Sequence, residues 1–491
     1  MTRSWVVVAG LVAVLPLVAC NPEGDDVTLT CDPVDCAIDN CASRGAAGGR
    51  CVNSRCVCEG ATPGTCFDSY CAAACVTFAG GIGGHCTAPT TCECLGEFPD
   101  DGGSPDIPAG SYGFANGVVV VVSTSGMFPI SGALVYAQRT TSAVAPLPEG
   151  NYCPRCLDMT HLPHTFSAPD GYFRLENLGL GDWTLVVQKG QFRRVRQFTV
   201  GRHLEEVSIP TDYTTLPSVQ DPANGDTIPR IAVALGAYDR MEDILAKIRL
   251  ADLAPDNRAV LATAVFDYYS NGSGYGIPDF EELLGDPVRM AQYQIIFVPC
   301  SDSTNDHLLS DTTIRDNVRN WVALGGKWYV ADWSYEWVTF LFPGAINLYG
   351  DGGSPGDADV VPDYDGPGRV VDTDMADWLN AMGIDPGAMT FEEIYNNICS
   401  LGTIHATDED GAPVDVTPKI WAEGRQLANA CGGSNYPYTV TFPFGCGRVL
   451  YTTYHTVGQM GATHAELMPQ ERILLYLIME IGVCTDEVII W

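Results

Sequence analysis

Hydrophobic and polar residues alternate along five short segments between residues 112 and 210. A side-chain period of two is typical of strands with one buried face, and Gly and Pro residues separate the segments. The pattern predicts a small β-sandwich. Its predicted strands are Gly117–Ser123, Gly132–Gln138, Gly171–Leu175, Trp183–Gln188 and Phe192–Val200.

Beyond residue 228, apolar strands alternate with amphipathic helices. Residues 311–324 carry apolar side chains at helical spacing, and Gly325-Gly326 ends that helix. A capping box at Asp239-Arg240-Met241-Glu242 opens an earlier helix, and Glu471–Val483 is a closing helix. The predicted strands are Arg230–Leu235, Ala262–Tyr268, Gln294–Pro299, Lys327–Ala331 and Arg448–Thr453.

This alternation predicts a C-terminal doubly wound, flavodoxin-like α/β domain over residues 228–491. The stretch at about 340–446 interrupts the alternation and is interpreted as an insertion. The predicted fold class is therefore multidomain α/β plus β, with small disulfide-rich modules, a β-sandwich and the α/β domain.

Cysteines are concentrated near the N-terminus, where residues 31–94 hold twelve of the 20. Dense cysteine in short Gly-rich segments is typical of disulfide-stabilised modules formed in an oxidising compartment. We expect two modules, at residues 31–59 and 64–95. Their cysteines are Cys31, Cys36, Cys41, Cys51, Cys56 and Cys58 in the first and Cys66, Cys71, Cys75, Cys86, Cys92 and Cys94 in the second.

The N-terminus has features of an export signal. Arg3 precedes an apolar segment, Trp5–Leu15, that is too short for a standard transmembrane helix. The residues Leu17-Val18-Ala19-Cys20 resemble the lipobox of bacterial lipoprotein signal peptides. The resemblance implies a signal peptide at residues 1–19, acylation of Cys20 and a tether at 20–30, with an ordinary cleaved signal as the alternative. The expected location is the cell envelope, at the outer membrane or the cell surface.

The charge of the chain excludes one class of partner. Lys and Arg number 26 against 60 Asp and Glu, which gives a formal net charge of −34. This excess repels a phosphate backbone, so we expect no nucleic-acid binding. The expected partners are a lipid bilayer, through Cys20, and an unknown extracellular or periplasmic ligand such as a carbohydrate or a protein.

In the second cysteine module, Cys71 and Cys75 face one side of a helix, and Cys92 and Cys94 face one side of a strand. This spacing resembles the cysteine-stabilised αβ motif of defensins, and the first module resembles a diverged copy. That family's pairing implies the bonds Cys66–Cys86, Cys71–Cys92 and Cys75–Cys94. Because the second module contains no Lys or Arg, we expect a rigid stalk or recognition module rather than membrane attack.

The predicted sandwich contains the turn Asp170-Gly171-Tyr172-Phe173, followed by the dipeptide Asn177-Leu178. These residues resemble the carboxypeptidase regulatory-like domain, a transthyretin-like sandwich, over residues 112–210. The resemblance implies a structural spacer or a binding module without hydrolytic residues.

An insert in the sandwich carries Cys153, Cys156, His161 and His164. Two thiolates and two imidazoles could form a tetrahedral Zn²⁺ site, although the spacing is shorter than in common zinc fingers. The export compartment favours a local Cys153–Cys156 disulfide instead, and a redox-active pair is a third interpretation.

Three segments of the α/β region resemble the class I glutamine amidotransferase-like superfamily, in particular its ThuA-like branch. They are Tyr293–Pro299, Trp321–Val330 and Gly447–His455. The resemblance implies a nucleophilic Cys directly after the strand Lys327–Ala331 and a downstream His. This chain has Asp332-Trp333-Ser334-Tyr335 there and no Cys, so we expect an amidotransferase-like domain without glutaminase chemistry.

Polar residues lie where the predicted strands end, at the edge where doubly wound sheets bind ligands. The candidate site residues are Asp332, His455 and Asp302, and Asp239 could join them. They could bind a metal or a polar ligand such as a sugar, or they could only cap turns. Cys300 also ends a strand, but no His is near it in the sequence, so we expect a buried or paired cysteine rather than a nucleophile.

The remaining cysteines predict two disulfides, Cys399–Cys431 and Cys446–Cys484.

A Gly/Pro-rich loop could bind Ca²⁺, but its spacing is not that of an EF-hand, which favours a solvated acidic loop. Its residues are Asp351, Asp357, Asp359, Asp363, Asp365 and Gly366.

Together these patterns predict a non-catalytic, lipid-anchored binding protein of the cell envelope. It presents an inactive amidotransferase-like domain on disulfide-rich and β-sandwich spacers. One alternative is an extracytoplasmic enzyme that acts on a carbohydrate or on peptidoglycan through Asp332 and His455. Another is a metal-binding surface protein, for which Zn²⁺ or Ca²⁺ is the expected ion.

Overall fold

A computed structural model describes most of the chain from residue 111 to residue 480 and four short segments before it. The described residues are 48–52, 55–59, 83–88, 91–95, 111–153, 159, 161–271, 276–301, 305–351, 364–407, 413–426, 431–433, 435–456 and 464–480. The chain divides into two compact units, Met1–Tyr112 and Gly113–Trp491. Among these residues, no helix is both long and apolar enough to cross a membrane. The residues of the predicted signal peptide and Cys20 lie outside them.

The described part of the first unit consists of two antiparallel hairpins. They are formed by β1 (Gly48–Val52) with β2 (Arg55–Glu59), and by β3 (Gly83–Ala88) with β4 (Thr91–Leu95). Strand β4 carries both Cys92 and Cys94, as the spacing predicts. The cysteine side chains of both modules lie outside the described residues, so the defensin-like pairing stays a prediction.

The second unit begins with the region for which a sandwich is predicted, which we call the sandwich below. Its elements are β5 (Tyr112–Val118), β6 (Val120–Ser123), β7 (Gly126–Pro129), β8 (Leu134–Arg139), β9 (His164–Phe166), β10 (Tyr172–Gly179), β11 (Gly181–Lys189), β12 (Phe192–Val200), β13 (Glu206–Ser208), the short helix α1 (Thr211–Thr214) and β14 (Asp226–Thr227). Three strands, β10-β5-β13, form one sheet and five, β14-β12-β11-β8-β9, form another. The predicted strand Phe192–Val200 coincides with β12.

The α/β region follows. Its helices are α2 (Met241–Lys247), α3 (Phe280–Leu284), α4 (Pro287–Met290), α5 (Asp306–Ser310), α6 (Thr312–Ala323), α7 (Glu336–Thr339), α8 (Thr373–Ala381) and α9 (Pro469–Glu480). Its strands are β15 (Ile231–Leu235), β16 (Asp252–Leu253), β17 (Ala259–Val260), β18 (Asp267–Ser270), β19 (Ile295–Val298), β20 (Lys327–Ala331), β21 (Ile346–Leu348), β22 (Tyr364–Val370), β23 (Met389–Ile394), β24 (Ile398–Leu401), β25 (Ile404–Thr407), β26 (Pro413–Val416), β27 (Lys419–Gly424), β28 (Tyr436–Phe444) and β29 (Gly447–Thr452).

One nine-stranded sheet organises this region, in the order β18-β15-β19-β20-β29-β28-β27-β22-β23. The first five strands are parallel, and their order in chain numbering is 2-1-3-4-5. The last four, which come from the predicted insertion, continue the sheet in antiparallel pairs. The insertion therefore extends the sheet, which local sequence patterns did not predict.

Two sequence expectations need correction. The helix α2 begins at Met241, but its N-cap is Arg240 and has no side-chain capping bond. The predicted capping residue Asp239 instead accepts hydrogen bonds from Thr456, on a distant segment. The predicted strand Ala262–Tyr268 is displaced to β18, because its first residues form a 3₁₀ turn, Leu261–Thr263.

The sandwich and the α/β region share one hydrophobic core. One of two clusters of buried residues runs from Ala115 in the sandwich to Met479 in α9, and the other lies within the α/β region. A disulfide between Cys153 and Cys446 also joins the two regions. The sandwich and the α/β region therefore form one body within the second unit, a closer association than a separate spacer would make.

A buried lysine lies at this contact. Lys327, at the start of β20, is 5% exposed, and its Nζ donates to Gln191 of the sandwich. Burial, together with the nearby Arg448 guanidinium, lowers the pKa of Lys327 to about 7. Since an unfolded lysine titrates near pH 10.4, the unfolded chain binds the additional proton between about pH 7 and 10.

We therefore expect Lys327→Met to change how stability depends on pH. In the wild type, the contribution of Lys327 to the free energy of unfolding rises as the pH rises above 7, by about 2 kcal/mol up to pH 9. The free energy of unfolding of the variant minus that of the wild type should therefore fall by that amount between pH 7 and pH 9. Loss of the Gln191 bond adds only a constant to this difference. Urea denaturation at several pH values measures this difference. An equal slope for wild type and variant would contradict it, and Lys419→Met, at a half-exposed lysine, is the control.

Candidate functional site

Polar side chains from three parallel strands meet at the carboxyl edge of the sheet. Cys300 follows β19, Asp332 follows β20 and His455 follows β29. The Cys300 sulfur, an Asp332 carboxylate oxygen and a His455 ring nitrogen lie within 4.8 Å of one another. All three residues are buried, at 3%, 0% and 2% exposure. We call these three residues the edge cluster.

Asp332 occupies a strained position at the start of a 3₁₀ turn. Its φ of +44° lies in the left-handed region, where a non-glycine residue costs about 1–3 kcal/mol and where functional residues are often found. The amide of Asn396 donates to its Oδ1 at 3.2 Å, and the Tyr451 hydroxyl donates to its main-chain oxygen at 3.0 Å. These bonds fix Asp332 so that Oδ2 points toward His455.

His455 faces a carboxylate on each side of its ring. Its Nε2 lies 3.2 Å from Asp332 Oδ2, and its Nδ1 lies 3.9 Å from Glu393 Oε2. The ring of Tyr395 lies beside the imidazole, with centroids 5.2 Å apart. The main chain of His455 donates to the Glu393 carbonyl oxygen at 3.1 Å, so that the inserted strand β23 and the loop after β29 hold the ring from both sides.

Within the described residues, several polar atoms of the edge cluster lack a well-aligned hydrogen bond. They are Nδ1 and Nε2 of His455 and Oδ2 of Asp332. Nearly all buried polar atoms in folded proteins are paired with protein or with ordered water. The cluster therefore has unused donor and acceptor capacity directed into its centre.

The environment of the cluster shifts the pKa of each member. Burial raises the pKa of the Cys300 thiol to about 11 and the pKa of Asp332 to about 6, the latter against the effect of His455. Burial by itself would lower the pKa of His455, but Asp332 and Cys300 beside it raise it to about 12. These shifts favour an imidazolium–carboxylate pair of His455 and Asp332 beside a protonated Cys300 thiol.

The structure brings together two of the three predicted site residues, Asp332 and His455. The third, Asp302, lies outside the described residues. Asp239 supports the same edge, because Thr456 donates to its carboxylate through its main-chain N–H at 3.0 Å and its hydroxyl at 2.7 Å. Cys300 is buried, which is one of the two predicted outcomes, and its thiol is free. It lies beside a His that is distant in the sequence.

The insertion contributes residues that sequence reasoning missed. Glu393, Tyr395 and Asn396 line one side of the edge cluster, and an isolated bridge from Ile394 to Tyr454 places them there. A local signal exists, since the polar run Asn396-Asn397 follows the mostly buried strand β23. That signal does not reveal which sheet edge the strand joins.

The structure corrects the predicted Cys/His site in the sandwich insert. The sulfur of Cys153 is bonded to Cys446, so neither Cys153–Cys156 nor Cys446–Cys484 is the pairing. A sulfur in a disulfide is not a thiolate ligand, and the predicted Zn²⁺ set therefore loses Cys153. His164 Nδ1 lies 2.9 Å from the carbonyl oxygen of Leu162, and His161 is exposed. Cys156 and Cys484 lie outside the described residues.

The other predicted disulfide is confirmed, since Cys399 is bonded to Cys431.

Most of the acidic loop considered for Ca²⁺ is not described, since Asp357, Asp359 and Asp363 lie outside the described residues. Asp365 is described, and its carboxylate accepts from the main-chain N–H of Glu393 at 3.4 Å.

Comparison with known proteins gives distant structural likenesses. No protein-family model and no curated protein matches the sequence. A cytoplasmic protein from Salmonella typhimurium is 9% identical, with a TM-score of 0.31, over 52% of this chain and 100% of that one. A ThuA-like protein from Bacteroides uniformis is 8% identical, with a TM-score of 0.31, over 51% of this chain and 90% of that one. At these TM-scores the likenesses carry no argument about function.

Proposed function

We propose that this chain is a lipid-anchored, non-catalytic binding protein of the bacterial cell envelope, whose α/β region takes its ligand at the edge cluster. The observation that carries the proposal is a set of buried polar atoms at the carboxyl edge of the parallel strands, Nδ1 and Nε2 of His455 and Oδ2 of Asp332, that lack an aligned hydrogen bond among the described residues. The strand order 2-1-3-4-5 supports a flavodoxin-like domain, in which ligands bind outside this edge.

The state of the edge cluster supports binding rather than catalysis. A nucleophilic cysteine needs a lowered pKa, whereas burial raises the pKa of the Cys300 thiol to about 11. A general base needs a pKa near the working pH, whereas Asp332 holds His455 as an imidazolium. The positive φ of Asp332 at the position of the amidotransferase nucleophile supports a related domain that has lost that chemistry.

The anchoring part of the proposal depends on the lipobox-like residues before Cys20 and on the cysteine-rich modules. The two disulfides described in the second unit support folding in an oxidising compartment. The net charge of −34 supports solubility outside the cell rather than an association with nucleic acid.

One observation favours a second function, an extracytoplasmic hydrolase acting on a carbohydrate or on peptidoglycan. Asp332 and His455 converge within 3.2 Å instead of making separate hydrogen bonds. The additional carboxylates of Asp239 and Glu393 lie around them, and glycoside hydrolysis commonly uses two carboxyl groups.

A turnover assay separates the two functions. The full chain, extracted from membranes in detergent, is incubated with purified peptidoglycan and with a panel of 4-nitrophenyl glycosides. We expect wild type and Asp332→Asn to give the same background release, because the cluster has no free base or nucleophile. Release that is lost in both Asp332→Asn and His455→Gln, but kept in the surface control His405→Gln, would establish the hydrolase and contradict the proposal.

A further inference from the structure

We propose that Cys300, Asp332 and His455 form a mononuclear site for a thiophilic divalent cation, with Zn²⁺ as the ion of best fit. The inference rests on the proposed binding function and names what the edge cluster holds.

The donor set favours this class of ion. One thiol sulfur, one imidazole nitrogen and one carboxylate oxygen are all known zinc ligands, and sulfur disfavours the hard ions Ca²⁺ and Mg²⁺. A tetrahedral Zn²⁺ with bonds of about 2.0–2.1 Å to nitrogen and oxygen separates those two ligands by about 3.4 Å. The observed separation of His455 Nε2 and Asp332 Oδ2 is 3.2 Å. All three donor atoms lie within 4.8 Å of one another, so that small adjustments would bring them around one ion.

The hydrogen-bond geometry of the cluster is a second observation that points to a ligand. Nε2 of His455 and Oδ2 of Asp332 face each other in the buried centre of the cluster without an aligned hydrogen bond among the described residues. Burying such atoms without an aligned hydrogen-bond partner is unfavourable. A cation bound between them, which displaces their protons to solvent, would satisfy both atoms at once.

The residues behind the donors have the arrangement that supports metal ligands. A ligating His commonly directs its second ring nitrogen toward a carboxylate, and Glu393 Oε2 lies 3.9 Å from Nδ1 of His455. The second oxygen of Asp332 accepts from the amide of Asn396 at 3.2 Å. Thr456, next to His455, is tied to Asp239 through two hydrogen bonds. The ligands therefore stand on three rigid strand ends with fixed orientation.

The number of donors also suggests how the ion would serve binding. In the described part of the chain, the group of ligating side chains at this distance consists of the three residues of the edge cluster. Zn²⁺ held by three protein ligands keeps a fourth position, which water or substrate takes in catalytic zinc sites and which a bound ligand would take under the proposed binding function. A carboxylate, hydroxyl or amide oxygen of an extracytoplasmic ligand could take that position.

Cobalt substitution tests the site directly. The full chain in detergent, without reductant, is freed of metal with dipicolinate and titrated with Co²⁺. We expect about one equivalent to bind with the visible bands of tetrahedral cobalt and a sulfur-to-cobalt charge-transfer band in the near ultraviolet. Added Zn²⁺ should displace the cobalt and remove both signals.

Matched variants assign the signals to the three residues. We expect Cys300→Ser to lose the charge-transfer band and to bind cobalt at least tenfold more weakly. Cys300→Asp should keep the visible bands without the charge-transfer band, and Glu393→Gln should weaken binding by about 10- to 100-fold. His405→Gln is the control, since His405 and Asp415 form an exposed pair 2.6 Å apart. Near-ultraviolet circular dichroism checks that each variant is folded.

Two outcomes would overturn the site: no cobalt bands in the folded wild type, or a charge-transfer band that persists in Cys300→Ser. Neither outcome depends on turnover. A failed titration would therefore contradict the metal site only, and the hydrolysis assay would still test the binding function. Hydrolysis by a wild type that binds cobalt would contradict the non-catalytic function but not the metal site.

Discussion

Removing the disulfide between Cys153 and Cys446 is expected to lower the free energy of unfolding by roughly 5 kcal/mol, through the double substitution Cys153→Ser/Cys446→Ser. The bond closes a loop with a sequence separation of 293 residues. In the chain-entropy model, the stabilisation grows with the logarithm of the loop length, because the unfolded chain loses more freedom when distant residues are joined. The bond also joins the sandwich to the α/β region, so its loss should weaken their contact first.

The second disulfide provides a matched control. Cys399 and Cys431 are separated by 32 residues, and the same model gives their bond roughly 3–4 kcal/mol. Guanidinium denaturation without reductant, followed by tryptophan fluorescence, compares the two double-serine variants. A smaller loss for Cys153→Ser/Cys446→Ser than for Cys399→Ser/Cys431→Ser would contradict the expected order.

The second large effect is expected at the buried ion pair of Lys247 and Glu471. Lys247 Nζ donates to Glu471 Oε1 at 2.6 Å and to Oε2 at 2.8 Å, and the two side chains are 3% and 0% exposed. We expect Lys247→Met to cost about 3–5 kcal/mol, because it leaves the carboxyl group of Glu471 buried without its partner. Burial already raises the pKa of Glu471 to about 7 despite Lys247, which shows how little solvation this carboxyl group receives.

Removing both charges should recover most of that loss. In Lys247→Met/Glu471→Gln, no unpaired charge remains, and the substituted amide keeps an oxygen for the main-chain N–H of Met468, which donates to Glu471 at 2.8 Å in the wild type. Arg174→Met is the surface control, since Arg174 and Glu206 are well exposed and such pairs contribute about 0–1 kcal/mol. Urea denaturation at pH 7.5 gives the four values. A double variant less stable than Lys247→Met would contradict the interpretation.

Local sequence patterns predicted the elements better than their pairing. The strands β12 and β20 coincide with the predicted segments, because each pattern reports burial that the chain itself carries. The capping box at Asp239 failed for a different reason. The carboxylate had a distant competitor, Thr456, which a local pattern does not include.

The edge cluster shows the same limit. Asp332 and His455 are predictable, since each follows a buried strand whose carboxyl end faces the ligand edge of a parallel sheet. Their contact with Cys300 depends on the strand order, and the contribution of Glu393 depends on the insertion joining the sheet in antiparallel fashion. Pairings between distant segments are set by the packing of the whole domain. Local sequence patterns therefore could not predict that Cys300 and Glu393 lie beside Asp332 and His455.

The most direct test of the edge cluster is X-ray absorption at the zinc edge, on the Zn²⁺-loaded full chain. We predict a first shell with one sulfur at about 2.3 Å and nitrogen or oxygen ligands at about 2.0–2.1 Å, and loss of the sulfur contribution in Cys300→Ser. A shell without sulfur, or one with two or more sulfurs, would show that Cys300, Asp332 and His455 do not act together as a single site.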